Sequence, residues 1–269
     1  MSTIIYPSPI FGPVHSRRLG ISLGINLLPA DGKVCSFDCI YCECGFNEDH
    51  RPALPLPTPA EVSQRLEQKL KEMTAEGLLP DVLTFAGNGE PTCHPHFAEI
   101  IDDTIRLRDQ YCPKAKVSVL SNSTMIHRPQ VHDALMRVDN NILKLDTVDP
   151  DYIRRVDHPA GNYDVRQIID RMKDFHGHLI IQTMFMRGEV RSQETGVKET
   201  GVKESVDNTG EEYVQPWLEA VREIGPRQVM IYTIDRETPT LGLLKATREQ
   251  LDAIRDRVIA LGIPCTASY

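Results

Sequence analysis

From residue 58 onward the sequence alternates amphipathic helices with short apolar strands, and few folds accept that order. Thr58, Pro59 and Glu61 form a capping signature, Val62, Leu66, Leu70 and Met73 recur behind it at helical spacing, and Gly77 ends the helix. A strand over 81–86 comes next. Then follow a helix marked by Phe97, Ile100, Ile101 and Ile105, a strand over 116–120, a short helix over 129–138 and a strand over 141–145. Val165, Ile168, Ile169, Met172 and Phe175 mark another helix, before a strand over 179–185. Tyr213, Trp217, Leu218, Val221 and Ile224 mark the next, before a strand over 228–232; Thr247 with Gln250 caps a last helix carrying Leu251, Ile254, Val258 and Leu261. Ahead of residue 58, prolines at 7, 9, 13, 29, 52, 55 and 57 predict mostly ordered loop with one strand over 20–28. Six strands, each followed by a helix, predict an α/β protein with a parallel sheet and right-handed crossovers. An open doubly wound sheet and an incomplete barrel both satisfy the pattern. In either, ligands gather where strands end and loops begin.

The length of 269 residues suits one large α/β domain or two small ones. We read a single domain over 1–269: an N-terminal segment with the first strand and a cysteine loop (1–58), then the β/α repeats (59–262). A tandem Glu-Thr-Gly-Val-Lys repeat at 194–203, with polar flanks, reads as a mobile surface insertion over 191–210, or as a lid over the site. No apolar run approaches the ~20 residues a membrane helix needs. The first residues do not resemble a signal peptide, so a cytoplasmic location is expected. Lys and Arg total 30 against 38 Asp and Glu, a net charge of −8. That balance argues against nucleic-acid binding by bulk charge, although a local basic patch of Arg17, Arg18, Lys33 and Arg51 would support it.

Seven cysteines remain, an odd number, and four fall within ten residues: Cys35, Cys39, Cys42 and Cys44. Metal or redox chemistry is a better expectation than a disulfide framework. Cys35, Cys39 and Cys42 have C-x3-C-x2-C spacing on a loop after a strand. Such thiolates can hold three corners of an iron–sulfur cube and leave one iron open to a small molecule. A zinc site is the alternative, and its usual second Cys/His pair is not evident. Cys44 is either a fourth ligand or a spare thiol; a C-x-C spacing is expected to point its sulfur away from that of Cys42. Cys93, Cys112 and Cys265 read as small buried hydrophobes.

The cysteine triplet with Tyr41, the run Gly87-Asn88-Gly89-Glu90-Pro91 after the second strand, and Ser121-Asn122-Ser123 after the third together resemble the radical S-adenosylmethionine superfamily over about residues 15–235. The resemblance implies a partial (β/α)6 TIM barrel and two cofactors, a [4Fe–4S] cluster and S-adenosylmethionine. It further implies reductive cleavage of the latter to methionine and a 5′-deoxyadenosyl radical that abstracts hydrogen from a substrate. It also implies an electron donor such as flavodoxin or ferredoxin. Cys35, Cys39 and Cys42 would hold the cluster. Tyr41, Gly87, Asn88, Gly89, Glu90, Ser121, Asn122, Ser123, Lys144 and Asp146 would contact the cofactor. The glycines would let backbone approach the ligand, and Lys144 would meet either the cofactor carboxylate or a strand-end partner.

The segment Gly12-Pro13-Val14-His15-Ser16-Arg17-Arg18-Leu19-Gly20 is similar to a signature in a group of short radical enzymes that resemble the tRNA wyosine synthases. Arg17, Arg18, Asp235 and Arg236 are candidate substrate contacts, and Gln182 is a weaker inward-facing one. Three readings stand: a radical enzyme acting on a small molecule, peptide or protein; an RNA-modifying enzyme of wyosine type; and a non-catalytic iron–sulfur electron carrier, which four-cysteine ligation would favour.

Overall fold

The computed structural model describes residues 3–16, 20–191 and 203–269. In chain order its elements are β1 (Ile10–Ser16), β2 (Gly20–Ile25), α1 (Pro59–Ala75), β3 (Val82–Phe85), α2 (Phe97–Tyr111), β4 (Lys116–Ser121), α3 (Pro129–Arg137), β5 (Asn140–Lys144), α4 (Pro150–Val156), α5 (Val165–Lys173), β6 (Ile180–Met184), β7 (Met186–Arg191), β8 (Lys203–Ser205), α6 (Glu211–Ile224), β9 (Gln228–Tyr232), β10 (Leu243–Lys245), α7 (Arg248–Ala260) and β11 (Cys265–Ser268).

Eight strands form one curled sheet in the order β1-β2-β3-β4-β5-β6-β9-β11, a half-barrel of α/β type. The six strands read from the sequence all pair in parallel within it. β11 adds a seventh parallel strand on β9, where only a short tail was expected after the last helix. β1 adds an antiparallel edge strand where loop was expected. Gly12-Pro13 interrupts its apolar pattern, and proline in a strand is tolerated at an edge, which is where β1 lies. The first expected strand, over 20–28, ends at Ile25, because Asn26 turns the chain.

Alternation along the strands sorts the two faces. Leu23, Leu83, Phe85, Val117, Val119, Leu143, Ile181, Val229 and Ile231 join the helices in the main core. The opposite, inner face carries a small apolar floor of Leu120, Ile142, Ile180 and Met230, with Lys144, Gln182 and Tyr232 towards the strand ends. Helix starts follow local chemistry: Thr58 and Thr247 both complete capping boxes. Trp217 of α6 is fully buried and donates its indole N–H to the Leu145 carbonyl at 2.9 Å, fixing α6 against the end of β5. No helix among the described residues is long and apolar enough to cross a membrane.

A second, three-stranded antiparallel sheet, β10-β7-β8, was not expected. Residues 192–202, including most of the tandem repeat, lie outside the described residues. The insertion expected over 191–210 does not extend through 203–210, where Val206 and Asn208 are fully buried. The Asn208 amide accepts from Met186 N at 2.9 Å and donates to Met184 O at 2.9 Å and Asp146 O at 3.3 Å. Asn208→Ala strands one donor and two acceptors in the dry interior. It is expected to destabilise the fold by about 2–4 kcal/mol in urea denaturation followed by circular dichroism. An effect below about 0.5 kcal/mol would mean that this segment is an appendage.

Candidate active site

The expected site residues collect at the C-terminal ends of the parallel strands. The loop from β2 to α1 carries the cysteines, and backbone hydrogen bonds hold it from two sides. On one side Val34 bridges Gly89: Val34 N donates to Asn88 O and Glu90 N donates to Val34 O, both at 3.0 Å. On the other, Asp38 N and Ile40 N donate to the Asp157 and Val156 carbonyls at 2.9 Å, and Ala160 N donates to Ser36 O at 2.9 Å. Phe37 and Ile40 anchor the loop in apolar surroundings, Phe37 edge-on to Tyr163.

Each of the three sulfurs faces a donor or a cation. Asn122 Nδ2 lies 3.6 Å from Cys35 Sγ, and Lys144 Nζ lies 3.5 Å from Cys39 Sγ. Cys42 lies beside Cys44 and in the field of the buried Lys33 ammonium, and the Cys44 thiol donates to Gly87 O at 3.5 Å. With no metal bound, burial and then Glu90 push Cys35 up to about 12, and burial likewise raises Cys39. The hydrogen bond with Cys44 outweighs burial at Cys42 and, with Lys33, lowers it to about 6. Successive turns, Cys42 N to Cys39 O at 3.0 Å and Gly45 N to Cys42 O at 2.9 Å, fold the chain through this segment. Among the described residues no group of three His, Cys, Asp or Glu is set to hold one metal ion.

After β3, Gly87 and Gly89 both have positive φ, at 135° and 128°. Close approach does require them, but the partners are the protein itself. A Cβ on Gly87 would lie 2.7 Å from the Asn26 amide, and one on Gly89 would lie 2.0 Å from Val34 O. Asn88 is fully buried and spent on the fold, bonding Tyr6 N and O and Pro29 O at 2.7 to 2.9 Å. Its side chain is thus a strut beneath the N-terminal segment, not a contact offered to a ligand. Glu90, 2% exposed, accepts from Thr92 N at 3.0 Å and Asn122 N at 2.6 Å, tying this turn to the loop after β4. There Ser121 accepts from Ser123 N at 3.1 Å, and the Ser123 hydroxyl donates to Lys144 O at 3.1 Å.

Lys144 ends β5 in an ion-paired knot. Its ammonium donates to Asp146 Oδ2 at 2.7 Å, to Asp157 Oδ1 at 2.6 Å and to the Tyr41 hydroxyl. Burial would discharge it, but the two carboxylates outweigh burial and hold it charged. The Tyr41 hydroxyl also donates to Asp146. Of the two expectations for Lys144, the structure forms the strand-end partner.

Of the substrate-side candidates, Arg17 and Arg18 lie outside the described residues. Arg236 donates to Glu43 Oε2 at 2.5 Å and Tyr6 Oη at 2.8 Å, linking three distant segments at the mouth. Asp235 stands 3.9 Å from Lys245. Gln182 is half-buried on the inner face, donates to Tyr232 Oη at 3.1 Å and leaves its carbonyl oxygen unpaired. Lys33 is 3% exposed, so it cannot join a surface basic patch.

Sequence reasoning missed Asp157 and the folding role of Asn26. The first had a signal: Asp149-Pro150 starts a helix, and Asp149 accepts from Tyr152 N at 2.6 Å, so α4 and the acid at its end were findable. Cys112 lies in the main core as expected, whereas Cys93 and Cys265 are only partly buried.

The model of the Radical SAM superfamily matches residues 31–196. A UPF0026 protein of Helicobacter pylori is 33% identical over 192 residues, covering 68% of this chain and 58% of the relative. A UPF0026 protein of Methanocaldococcus jannaschii is 31% identical over 195 residues, covering 71% and 57%. The chain thus spans less than two thirds of these relatives' length. Among solved structures, a radical SAM methyltransferase from Sphaerobacter thermophilus superposes with a TM-score of 0.63 at 14% identity, over 92% of this chain and 66% of that one. Streptococcus suis SuiB bound to S-adenosylmethionine gives 0.60 at 14% identity, over 89% and 49%. These two share the fold. The chain belongs to the radical SAM superfamily, whose cofactors are a [4Fe–4S] cluster and S-adenosylmethionine.

Proposed function

We propose that this chain is an enzyme that uses Cys35, Cys39 and Cys42 to hold the [4Fe–4S] cluster and the strand-end loops to hold S-adenosylmethionine. The substrate is a small molecule or a residue of a peptide or protein. The observation that carries the reading is that three thiols on one clamped loop each face their own donor or cation at the open end of a half-barrel. Those donors and cations would steady negative charge on the sulfurs once a cluster binds, against the burial that raises Cys35 and Cys39 with no metal present. When bound, the cluster would supply the single electron for reductive cleavage of S-adenosylmethionine, the chemistry by which hydrogen would be taken from the substrate.

The chain's own residues would do the rest. Asn122 and Lys144 stabilise negative charge on the sulfurs they face. Glu90 holds the Gly87–Glu90 turn and the Ser121–Ser123 loop in fixed relation, so both can present polar groups to one ligand. The knot of Lys144, Asp146 and Tyr41 offers charge and a hydroxyl beside the same loops. Phe37 and Ile40 exclude water behind the cysteines. Arg236 and Asp235, beyond β9, are the substrate-side groups. The reductant is a one-electron protein such as flavodoxin or ferredoxin.

The test is anaerobic reconstitution, with iron counted and 5′-deoxyadenosine sought after adding dithionite and S-adenosylmethionine. Alanine at Cys35, Cys39 or Cys42 is expected to abolish cluster and product together; retention of either in all three variants would refute the assignment. Glu90→Gln is expected to keep the cluster's colour and to weaken cofactor binding at least tenfold, measured by calorimetry. Gly89→Ala drives a Cβ into Val34 O and is expected to cut iron retention at least fivefold with the far-ultraviolet circular dichroism unchanged. Full iron retention would show that the bridge to Val34 is dispensable.

A further inference from the structure

At the other end of the sheet from the cysteine loop, where β4 and β5 begin, lies a cavity of about 340 Å³. Lys116, Arg137 and Arg227 line it with His178 and Met136, and Asp139 is its one carboxylate among the described residues. Three cations around one acid make a local excess of positive charge on a chain whose net charge is −8. That acid is already engaged. Asp139 Oδ2 accepts from Arg108 Nη1 at 2.7 Å and from Val117 N at 2.9 Å, and the Arg108 side chain is mostly buried. Lys116 Nζ comes no closer than 3.3 Å to Asp139 Oδ1, on a side chain 62% exposed. Arg137 pairs with Asp102 at 2.8 Å.

Arg227 has no such partner. Its Nη2 donates to the Asp139 carbonyl and, at 2.7 Å, to Asn140 Oδ1, both neutral acceptors. Among the described residues no carboxylate pairs with it, and its Nε and Nη1 make no hydrogen bond. Bracing the start of β5 thus occupies one nitrogen of the guanidinium and leaves its other N–H donors for a ligand. Lys116 and Arg227 both reach Asp139, one at the carboxylate and the other at the carbonyl, so their charges meet at one cavity.

We propose that this cavity is a second binding site, which takes the phosphate of a small phosphomonoester on Arg227 and Lys116. A guanidinium fork matches two phosphate oxygens at once, and a lysine adds a compact charge. The volume lies at the lower end of the ~300–1,000 Å³ typical of small-molecule sites, more than a bare phosphate fills, and exposed Met136 gives the organic part an apolar wall. The site does not rest on the cluster reading, because it opens at the amino ends of the strands and the cysteines stand at the carboxyl ends.

The experiment is calorimetric titration of the reconstituted chain with ribose 5-phosphate, inorganic phosphate and ribose, in the presence of excess S-adenosylmethionine. It is read the same way whether or not the chain takes up iron. Ribose 5-phosphate is expected to bind at about one per chain with a dissociation constant of about 1 mM or tighter, inorganic phosphate more weakly, and ribose not at all. Arg227→Gln and Lys116→Gln are each expected to weaken the sugar phosphate about tenfold or more. Unaltered affinity in both variants would overturn the inference, because the ligand would then sit elsewhere. No binding by the wild type up to about 10 mM would overturn it outright. Equal affinity for ribose would remove the phosphate from recognition, and equal affinity for inorganic phosphate would overturn the choice of an ester. If Arg227→Gln misfolds, Lys116→Gln decides, since that side chain is largely in solvent.

Discussion

Everything at the open end of the half-barrel depends on backbone pairing of the cysteine loop. A loop this long would ordinarily hold its side chains loosely. Here Val34 is stitched to the turn after β3, and Ser36, Asp38 and Ile40 are stitched to the residues ending α4. The stitching uses peptide groups, so it dictates position whatever the side chains are, and it leaves the thiols free. It also explains the glycines. At Gly89 the chain must pass within a Cβ's breadth of Val34 O, a constraint of assembly before it is one of ligand binding.

On that scaffold the charges follow a consistent plan. Two lysines are buried near the thiols, and each is held by carboxylates and by its own chain. Burying an ion pair costs several kcal/mol of desolvation per ion, and its stability return is poor. Function is the better account of these groups, since they place positive charge where thiolates would need it. The acids do a second job: Asp157 and Asp146 reach from after α4 and β5, so the charge on Lys144 also ties those loops together.

The sequence made much of the scaffold legible, because its signals are local. Thr58 and Thr247 announce helix starts through caps, and the parallel strands announce themselves by apolar runs. β1 was hidden by the Gly12-Pro13 break and β11 by the plain Cys-Thr-Ala-Ser run, since edge strands need less burial. In the site, the candidates after each strand are close in space because parallel topology brings strand ends together. Their partners were not legible. Lys33 reads as a surface charge until the fold covers it, and nothing local tells that the Cys44 thiol will meet the Gly87 carbonyl. Asn88 reads as part of a ligand motif, although its side chain is committed to Tyr6 and Pro29. Such facts depend on contacts up to about eighty residues apart, which no spacing rule contains.

The link of Arg236 to Glu43 and Tyr6 has a different character from the clamps below it. Its guanidinium and carboxylate side chains are 53% and 42% exposed, so the pair is worth about 1 kcal/mol or less. It nevertheless ties together the segment before β1, the cysteine loop and the chain after β9. A fastening this weak, spanning three segments, can undo and remake itself many times within one residence of a bound molecule. The cysteine loop, held by peptide hydrogen bonds, would stay put throughout. Added salt would thus loosen this fastening well before it touched the peptide clamps below.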